Sequence, residues 1–92
     1  MSVLETKQID KALKKKGFVI EERDHHFYFY KNDGKKTSIN TKTSHSATEI
    51  GNSLIKIMAK QLHLEKSEFE RLIKCTLSGE EYKEILKEKG LI

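Results

Sequence analysis

Two adjacent histidines, His25 and His26, are the side chains best suited to proton transfer in this sequence. An unperturbed histidine titrates near pH ~6.5, so its ring can take the proton from a ribose 2′-hydroxyl or give one to a departing 5′-oxygen. These two steps cut RNA without a metal ion. The alternative is structural, with one histidine at the start of a strand and the other on a solvated face of a sheet.

A third histidine, His45, lies between a predicted strand and a predicted helix. In an antiparallel hairpin the start of one strand lies beside the end of the next, which would bring His25 or His26 close to the segment 41–45. His45 would then be the second member of an acid/base pair. Alternatively, it only supports the entry of the chain into the helix.

Lysine clusters are the second chemical feature of the chain. The 92 residues carry 18 Lys and Arg against 14 Asp and Glu, and residues 1–62 hold 12 of the bases and 7 of the acids, a net charge of +5. A positive surface of this kind favours binding to a polyanion, although solvated lysines are common on small domains. The candidate phosphate contacts are Lys14, Lys15, Lys35 and Lys36, and Tyr28 is a candidate for base stacking.

Length and composition restrict the kinds of site. A chain of 92 residues with 36% hydrophobic residues builds one small domain, whose core is too thin to enclose a deep cofactor cavity. The single cysteine, Cys75, excludes an internal disulfide, and one cysteine with four histidines lacks zinc-ligand spacing. We therefore expect no metal ion and no cofactor.

The same features bear on the cellular location. No apolar run reaches the ~20 residues of a membrane span, and the N-terminus lacks the apolar stretch of a signal peptide. An unpaired cysteine fits a reducing compartment. We expect a cytoplasmic protein without a membrane partner, which is a monomer or a weak oligomer.

The chain opens with a predicted helix. Ser2 and Glu5 have the spacing of a capping box, in which each side chain satisfies a backbone amide at a helix start. Gly17 fits the left-handed turn that ends a helix. The pattern predicts a helix over 3–16.

Three strands are predicted next, near 18–22, 25–31 and 35–41, because the segment is rich in aromatic and β-branched residues. Residues 32–34 suit a tight turn, so the last two strands pair antiparallel. Because a single covered sheet has one wet face, we expect the tyrosine rings of the second strand to be half buried. Alternation places His25, Phe27 and Phe29 on one face, and His26, Tyr28 and Tyr30 on the other.

Three further helices complete the prediction. Ser46 and Glu49 repeat the capping-box spacing, which predicts a helix over 46–62. Its proposed apolar face consists of Ile50, Leu54, Ile57, Met58 and Leu62. Shorter helices are predicted over 65–75 and 78–89, with Ser78 at the start of the second and Gly90 at its end.

The predicted fold class is therefore α+β. The order α-β-β-β-α gives a three-stranded antiparallel sheet with its helices, and two short C-terminal helices follow. We divide the chain into a domain of residues 1–62 and a helical extension of residues 63–92 that packs on the same core.

Four motifs resemble the HicA-like (YcfA-like) toxins, small dsRBD-like domains of toxin–antitoxin pairs. The similarity covers about residues 7–62. Arg23-Asp24 replaces the Gly-Ser that precedes the histidine in the family motif. The matching segments are Leu13-Lys14-Lys15-Lys16-Gly17-Phe18, Asp24-His25-His26-Phe27, Asp33-Gly34-Lys35-Lys36 and Leu54-Ile55-Lys56-Ile57-Met58.

The resemblance implies a dsRBD-like domain that acts as an mRNA interferase, an endoribonuclease of RNA substrates that a cognate antitoxin protein silences. The family histidine corresponds to His25 if the one extra residue of this chain lies in the hairpin, and to His26 if it lies before the strand. Because loops tolerate insertions better, His25 is the favoured position. Two other classes remain open: a non-catalytic RNA-binding module of the same fold, and a protein-interaction domain that holds an acidic partner.

Overall fold

The computed structural model describes residues 4–44, 48–74 and 76–92, in which a three-stranded antiparallel sheet has its helices on one face. The α+β class and the three-stranded sheet are confirmed. No helix within the described ranges is both long enough and apolar enough to cross a membrane. The elements are β1 (Leu4–Glu5), α1 (Thr6–Lys15), β2 (Phe18–Glu22), β3 (His25–Asn32), β4 (Lys35–Ser44), β5 (Glu49–Ile50), α2 (Asn52–Gln61), α3 (Lys66–Ile73) and α4 (Gly79–Glu88).

The strand order in the main sheet is β2-β3-β4, and both pairs are antiparallel. The β3–β4 turn contains only Asp33 and Gly34, whose φ angles of 52° and 78° are left-handed, as the predicted tight turn requires. Strand β4 runs three residues beyond the predicted end at Thr41. The ladder continues there because His25 lies opposite Ser44.

Alternation along β3 divides the sheet into two faces. The inner face, which the helices cover, carries His26, Tyr28 and Tyr30, and the outer face carries His25, Phe27 and Phe29. The expectation of half-buried tyrosines is wrong, because Tyr28 is 0% exposed and Tyr30 is 4% exposed.

Helix α4 explains the burial of Tyr30. Its Tyr82 ring lies 5.3 Å from the Tyr30 ring and 5.8 Å from the Phe18 ring, between centroids. Tyr30 and Phe18 are themselves 5.3 Å apart. Edge-to-face and offset contacts of this kind stabilise an aromatic cluster, so the C-terminal helix covers part of the inner sheet face.

The first helix begins later than predicted. Helix α1 starts at Thr6, and the two residues before it form β1, which pairs with β5 through Leu4 opposite Ile50. Both side chains are 1% exposed, so the strand pairing buries their apolar surface. This burial favours a strand instead of a helix at residues 4 and 5. Ser2 of the predicted capping box lies outside the described residues, whereas Gly17 has the predicted left-handed φ of 96°.

The second helix also begins later than predicted, at Asn52 instead of residue 46. The predicted apolar face is wrong at two positions, because Leu54 is 47% exposed and Ile57 is 52% exposed. Ile50 belongs to β5, so the helical period does not start from it. The buried face of this segment consists of Ile55, Met58, Ala59 and Leu62. Ser46 lies outside the described residues.

The two C-terminal helices follow local signals. At the start of α4 the Glu81 amide donates to Ser78 Oγ at 3.1 Å, and the Ser78 amide donates to Glu81 Oε1 at 2.9 Å, which is the predicted capping box. At its end Gly90 has φ 73°, and the Leu91 amide donates to the Leu86 carbonyl at 2.9 Å. Side chains of α3 and α4 join those of α1 and β3 in one buried cluster.

Candidate functional site

The two histidines at the start of β3 lie on opposite faces of the sheet, and each faces a carboxylate. His26 Nδ1 lies 2.6 Å from Glu22 Oε1, which stands directly opposite it on β2. His25 Nδ1 lies 3.4 Å from Asp24 Oδ2, and the Asp24 side chain is 81% exposed in the turn. The cross-strand pair at His26 is therefore the closer of the two.

His26 lies on the wall of an open groove of about 1060 Å³ between α1 and the inner side of β2 and β3. The groove is lined by Glu22, Tyr28, Asp10 and Lys14 among others. Lys14 Nζ lies 3.3 Å from Asp10 Oδ2, so the cation and the carboxylate are held together on one side of α1.

The Tyr28 hydroxyl points to the same groove and donates to Asp10 Oδ1 at 3.5 Å. Burial raises the pKa of Tyr28, a hydrogen bond with Thr43 opposes this, and the negative charge of Asp10 adds to the rise. The hydroxyl is therefore neutral and a donor at physiological pH. The ring itself is fully buried, which does not fit its predicted role in base stacking.

The outer face presents a row of aromatic rings. The Phe27 and Phe29 ring centroids are 6.2 Å apart at an interplanar angle of 23°, and the His25 ring lies 6.3 Å from Phe27. Lys36 Nζ lies 4.5 Å from the Phe29 centroid, and a shift in the β3–β4 register after Phe29 brings Lys36 opposite Lys31. This face therefore combines aromatic and cationic groups.

A second, smaller cavity of about 190 Å³ adjoins His25. It is lined by Lys42 and Ser44 of β4 and by Leu54 and Met58 of α2. The predicted approach of the histidine pair to the end of β4 is confirmed by the pairing of His25 with Ser44. His45 lies outside the described residues.

The four predicted phosphate contacts do not form one patch. Lys14 lines the groove, whereas Lys36 lies on the outer face, where its Nζ is 2.5 Å from Glu21 Oε2. Lys15 is exposed at the end of α1, and Lys35 is exposed beside the hairpin turn. Positive charge is therefore shared between both faces of the sheet.

Sequence reasoning missed the carboxylates of the site, Glu22 and Asp10. A partial signal for Glu22 exists, because a short loop between two antiparallel strands brings the end of one close to the start of the next, and here the three residues 23–25 separate Glu22 from its partner His26. Asp10 has no such local signal, since α1 and β3 meet only in the folded chain. Its role depends on tertiary packing.

Within the residues that the structure describes, no group of three or more His, Cys, Asp or Glu side chains is arranged to hold a metal ion. Comparisons of the chain with protein-family models, with curated proteins and with solved structures found no match.

Proposed function

We propose that the protein is an RNA-binding domain of dsRBD-like type that cleaves RNA by histidine acid/base chemistry, as the resemblance to HicA-like toxins implies. The observation that carries the proposal is the pair of His26 and Glu22, with Nδ1 and Oε1 2.6 Å apart, on the wall of a groove that also holds Lys14. The Glu22 carboxylate places a negative charge beside the imidazole ring that we propose as acid and base.

The choice between the two histidines falls on His26. The preference for His25 depended on an extra residue in the hairpin, but the turn of Asp33 and Gly34 has the shortest common length. A hairpin insertion therefore has no support. His26 also faces the groove, whereas His25 lies on the outer face beside the small cavity.

The proposed reaction is a transfer of the phosphodiester to the neighbouring 2′-oxygen. Neutral His26 accepts the proton of the ribose 2′-hydroxyl while that oxygen attacks phosphorus. The bond to the 5′-oxygen breaks, and the imidazolium, stabilised by Glu22, returns the proton to this leaving oxygen. The products are a 2′,3′-cyclic phosphate and a 5′-hydroxyl, and the Lys14 cation lies in the groove for the phosphate charge.

A cognate antitoxin protein is part of the same proposal, because the resemblance implies one. It would silence the enzyme by occupying the groove beside His26. The experiment for this point is inhibition of cleavage by the candidate antitoxin, with loss of inhibition when groove residues such as Lys7 are substituted.

The decisive experiment measures RNA cleavage in EDTA by the wild type, His26→Ala and His25→Ala. We expect His26→Ala to lower the cleavage rate about 100- to 10,000-fold, since general acid/base groups contribute that much. His25→Ala is the matched control and should retain most activity. Circular dichroism checks that both variants fold. A folded His26→Ala protein that cuts RNA at the wild-type rate would refute the mechanism.

A further inference from the structure

Two phenylalanines on the outer face require an explanation. Phe27 and Phe29 are only partly buried, and they stack on each other at the centre of the solvated side of the sheet. Adjacent apolar rings that remain partly accessible on a solvated face are typical of binding surfaces. On β4 their neighbours are polar, with Lys42 opposite Phe27 and Asn40 opposite Phe29, and on β2 Glu21 lies opposite Phe27 and Val19 opposite Phe29.

Cationic side chains surround these two rings. Arg23 Cζ lies 5.4 Å from the Phe27 centroid and 6.0 Å from the Phe29 centroid. Lys36 Nζ lies 4.5 Å from Phe29, and Lys42 Nζ lies 5.9 Å from Phe27. We name the set Phe27, Phe29, Arg23, Lys36 and Lys42 the aromatic platform. Flat apolar surface interleaved with positive charge complements a chain of flat bases joined by phosphates.

The Glu21 carboxylate lies between two cations of the aromatic platform, Arg23 and Lys36. It binds both Arg23 and Lys36, and the hydrogen bond from Lys36 lowers the pKa of Glu21. The carboxylate is therefore charged at neutral pH and occupies the two cations that a phosphate would contact. Glu21 therefore competes with an anionic ligand for Arg23 and Lys36.

We propose that the aromatic platform binds single-stranded RNA by stacking bases on Phe27 and Phe29 while the three cations contact phosphates. Duplex RNA fits poorly, because its bases are paired and hidden from a flat protein surface. The inference rests on the proposed function and names its substrate class. Phe27 follows His26 directly in β3, so an RNA strand on the platform reaches the groove by passing over the loop at Arg23 and Asp24, which joins β2 to β3.

The test separates binding from cleavage. A fluorescent single-stranded 2′-O-methyl oligoribonucleotide of about 12 nucleotides lacks the 2′-hydroxyl nucleophile, so its affinity is measured by anisotropy without cleavage. Phe27→Leu and Phe29→Leu keep apolar volume and lose the ring, and each should weaken binding about 5- to 100-fold. Ile57→Ala removes an exposed apolar side chain of α2 and is the matched control with unchanged affinity.

Glu21→Gln gives a second, opposite readout. Removal of the competing carboxylate should tighten binding about twofold to fivefold, because Arg23 and Lys36 become available to phosphate. Glu88→Gln, an exposed site on α4, makes the same change in net charge and should alter affinity less. Equal effects of the two variants would show that only net charge matters, and would overturn the platform.

The outcomes distinguish this inference from the proposed function. If both leucine variants bind the oligonucleotide like the wild type, or if a duplex of the same sequence binds as well as the single strand, the inference fails whatever His26→Ala does. If the leucine variants lose binding but the wild type never cleaves RNA, the platform stands and the proposed enzyme fails. A folded wild type that binds no RNA refutes the platform and leaves this face to a protein partner.

Discussion

The inner and outer faces of β3 carry the same kinds of residue in opposite environments. The tyrosines lie inside and the phenylalanines outside, although phenylalanine is the more apolar ring and is buried more often. Tyr28 is accommodated inside because its hydroxyl donates a hydrogen bond to Asp10. Phe27 and Phe29 have no hydroxyl that needs a hydrogen-bond partner, and on the outer face their rings lie next to the cations of Arg23 and Lys36. The inner rings belong to the buried core, whereas the outer rings remain accessible to the RNA that we propose they bind.

The largest expected difference between the faces is in stability. Tyr28→Ala should lower the free energy of unfolding by about 3–5 kcal/mol, because it leaves a cavity under α1. Phe29→Ala removes a partly exposed ring and should cost about 1 kcal/mol. Urea denaturation followed by circular dichroism measures both values. Equal losses would mean that the two faces contribute alike to the core.

The second expected difference concerns the two histidine–carboxylate pairs. Glu22→Gln should slow RNA cleavage about 10- to 100-fold, because it removes the negative charge beside the His26 ring, which we propose becomes an imidazolium during the reaction. Asp24→Asn, the corresponding change at His25, should alter the rate less than about twofold, since Asp24 is in solvent. Binding of the 2′-O-methyl oligonucleotide should change little in Glu22→Gln.

A larger effect of Asp24→Asn on cleavage would move the acid/base role to His25 and to the outer face. The pair of His25 and Asp24 would then be the reactive one, and the groove beside His26 would lose its proposed function. The ratio of the two cleavage rates is therefore a direct measure of which face reacts.

The smallest expected effect concerns another buried tyrosine hydroxyl, that of Tyr82 in α4. The Tyr82 hydroxyl donates to the Leu62 carbonyl at 3.0 Å, and Tyr82→Phe should cost about 1 kcal/mol at pH ~7. Burial raises the pKa of Tyr82 above its usual value of about 10. A raised pKa in the folded state means that stability is complete below pH ~10 and falls as the pH rises further, because the unfolded chain ionises first.

Urea midpoints at pH ~8 and pH ~10.5 check this dependence. Tyr82→Phe should lose less stability than the wild type between these two pH values, since it has one fewer tyrosine to ionise on unfolding. An identical loss in both proteins would contradict the assignment to Tyr82 and leave the alkaline dependence to Tyr28 and Tyr30, whose pKa values burial also raises.

Sequence patterns predicted the elements that depend on neighbouring residues. The turn at Asp33 and Gly34, the left-handed Gly17 and the capping box at Ser78 all involve contacts within a few residues. The starts of α1 and α2 were predicted too early, because they depend on Leu4 pairing with Ile50. No local pattern reveals a strand pair formed by residues so distant in the chain.

The candidate site was predictable only in part. Alternation indicates that the two histidines face opposite ways, but it does not tell which face the helices cover. Residue hydrophobicity would choose the phenylalanine side, which is the wrong one here. Asp10 and Lys14 join the groove through the packing of α1 on the sheet, and this packing depends on the whole core.

The pairing of β1 with β5 has a consequence for access to the groove. Glu5 and Thr6 line one end of the groove together with Thr48, and the Thr6 amide donates to the Thr48 carbonyl at 3.0 Å. Leu4 and Ile50 of this pair are each 1% exposed, so we expect the pair to hold this end of the groove in place together with the core. The groove is open along its side, so a long polymer can be laid into it lengthwise without threading a free terminus.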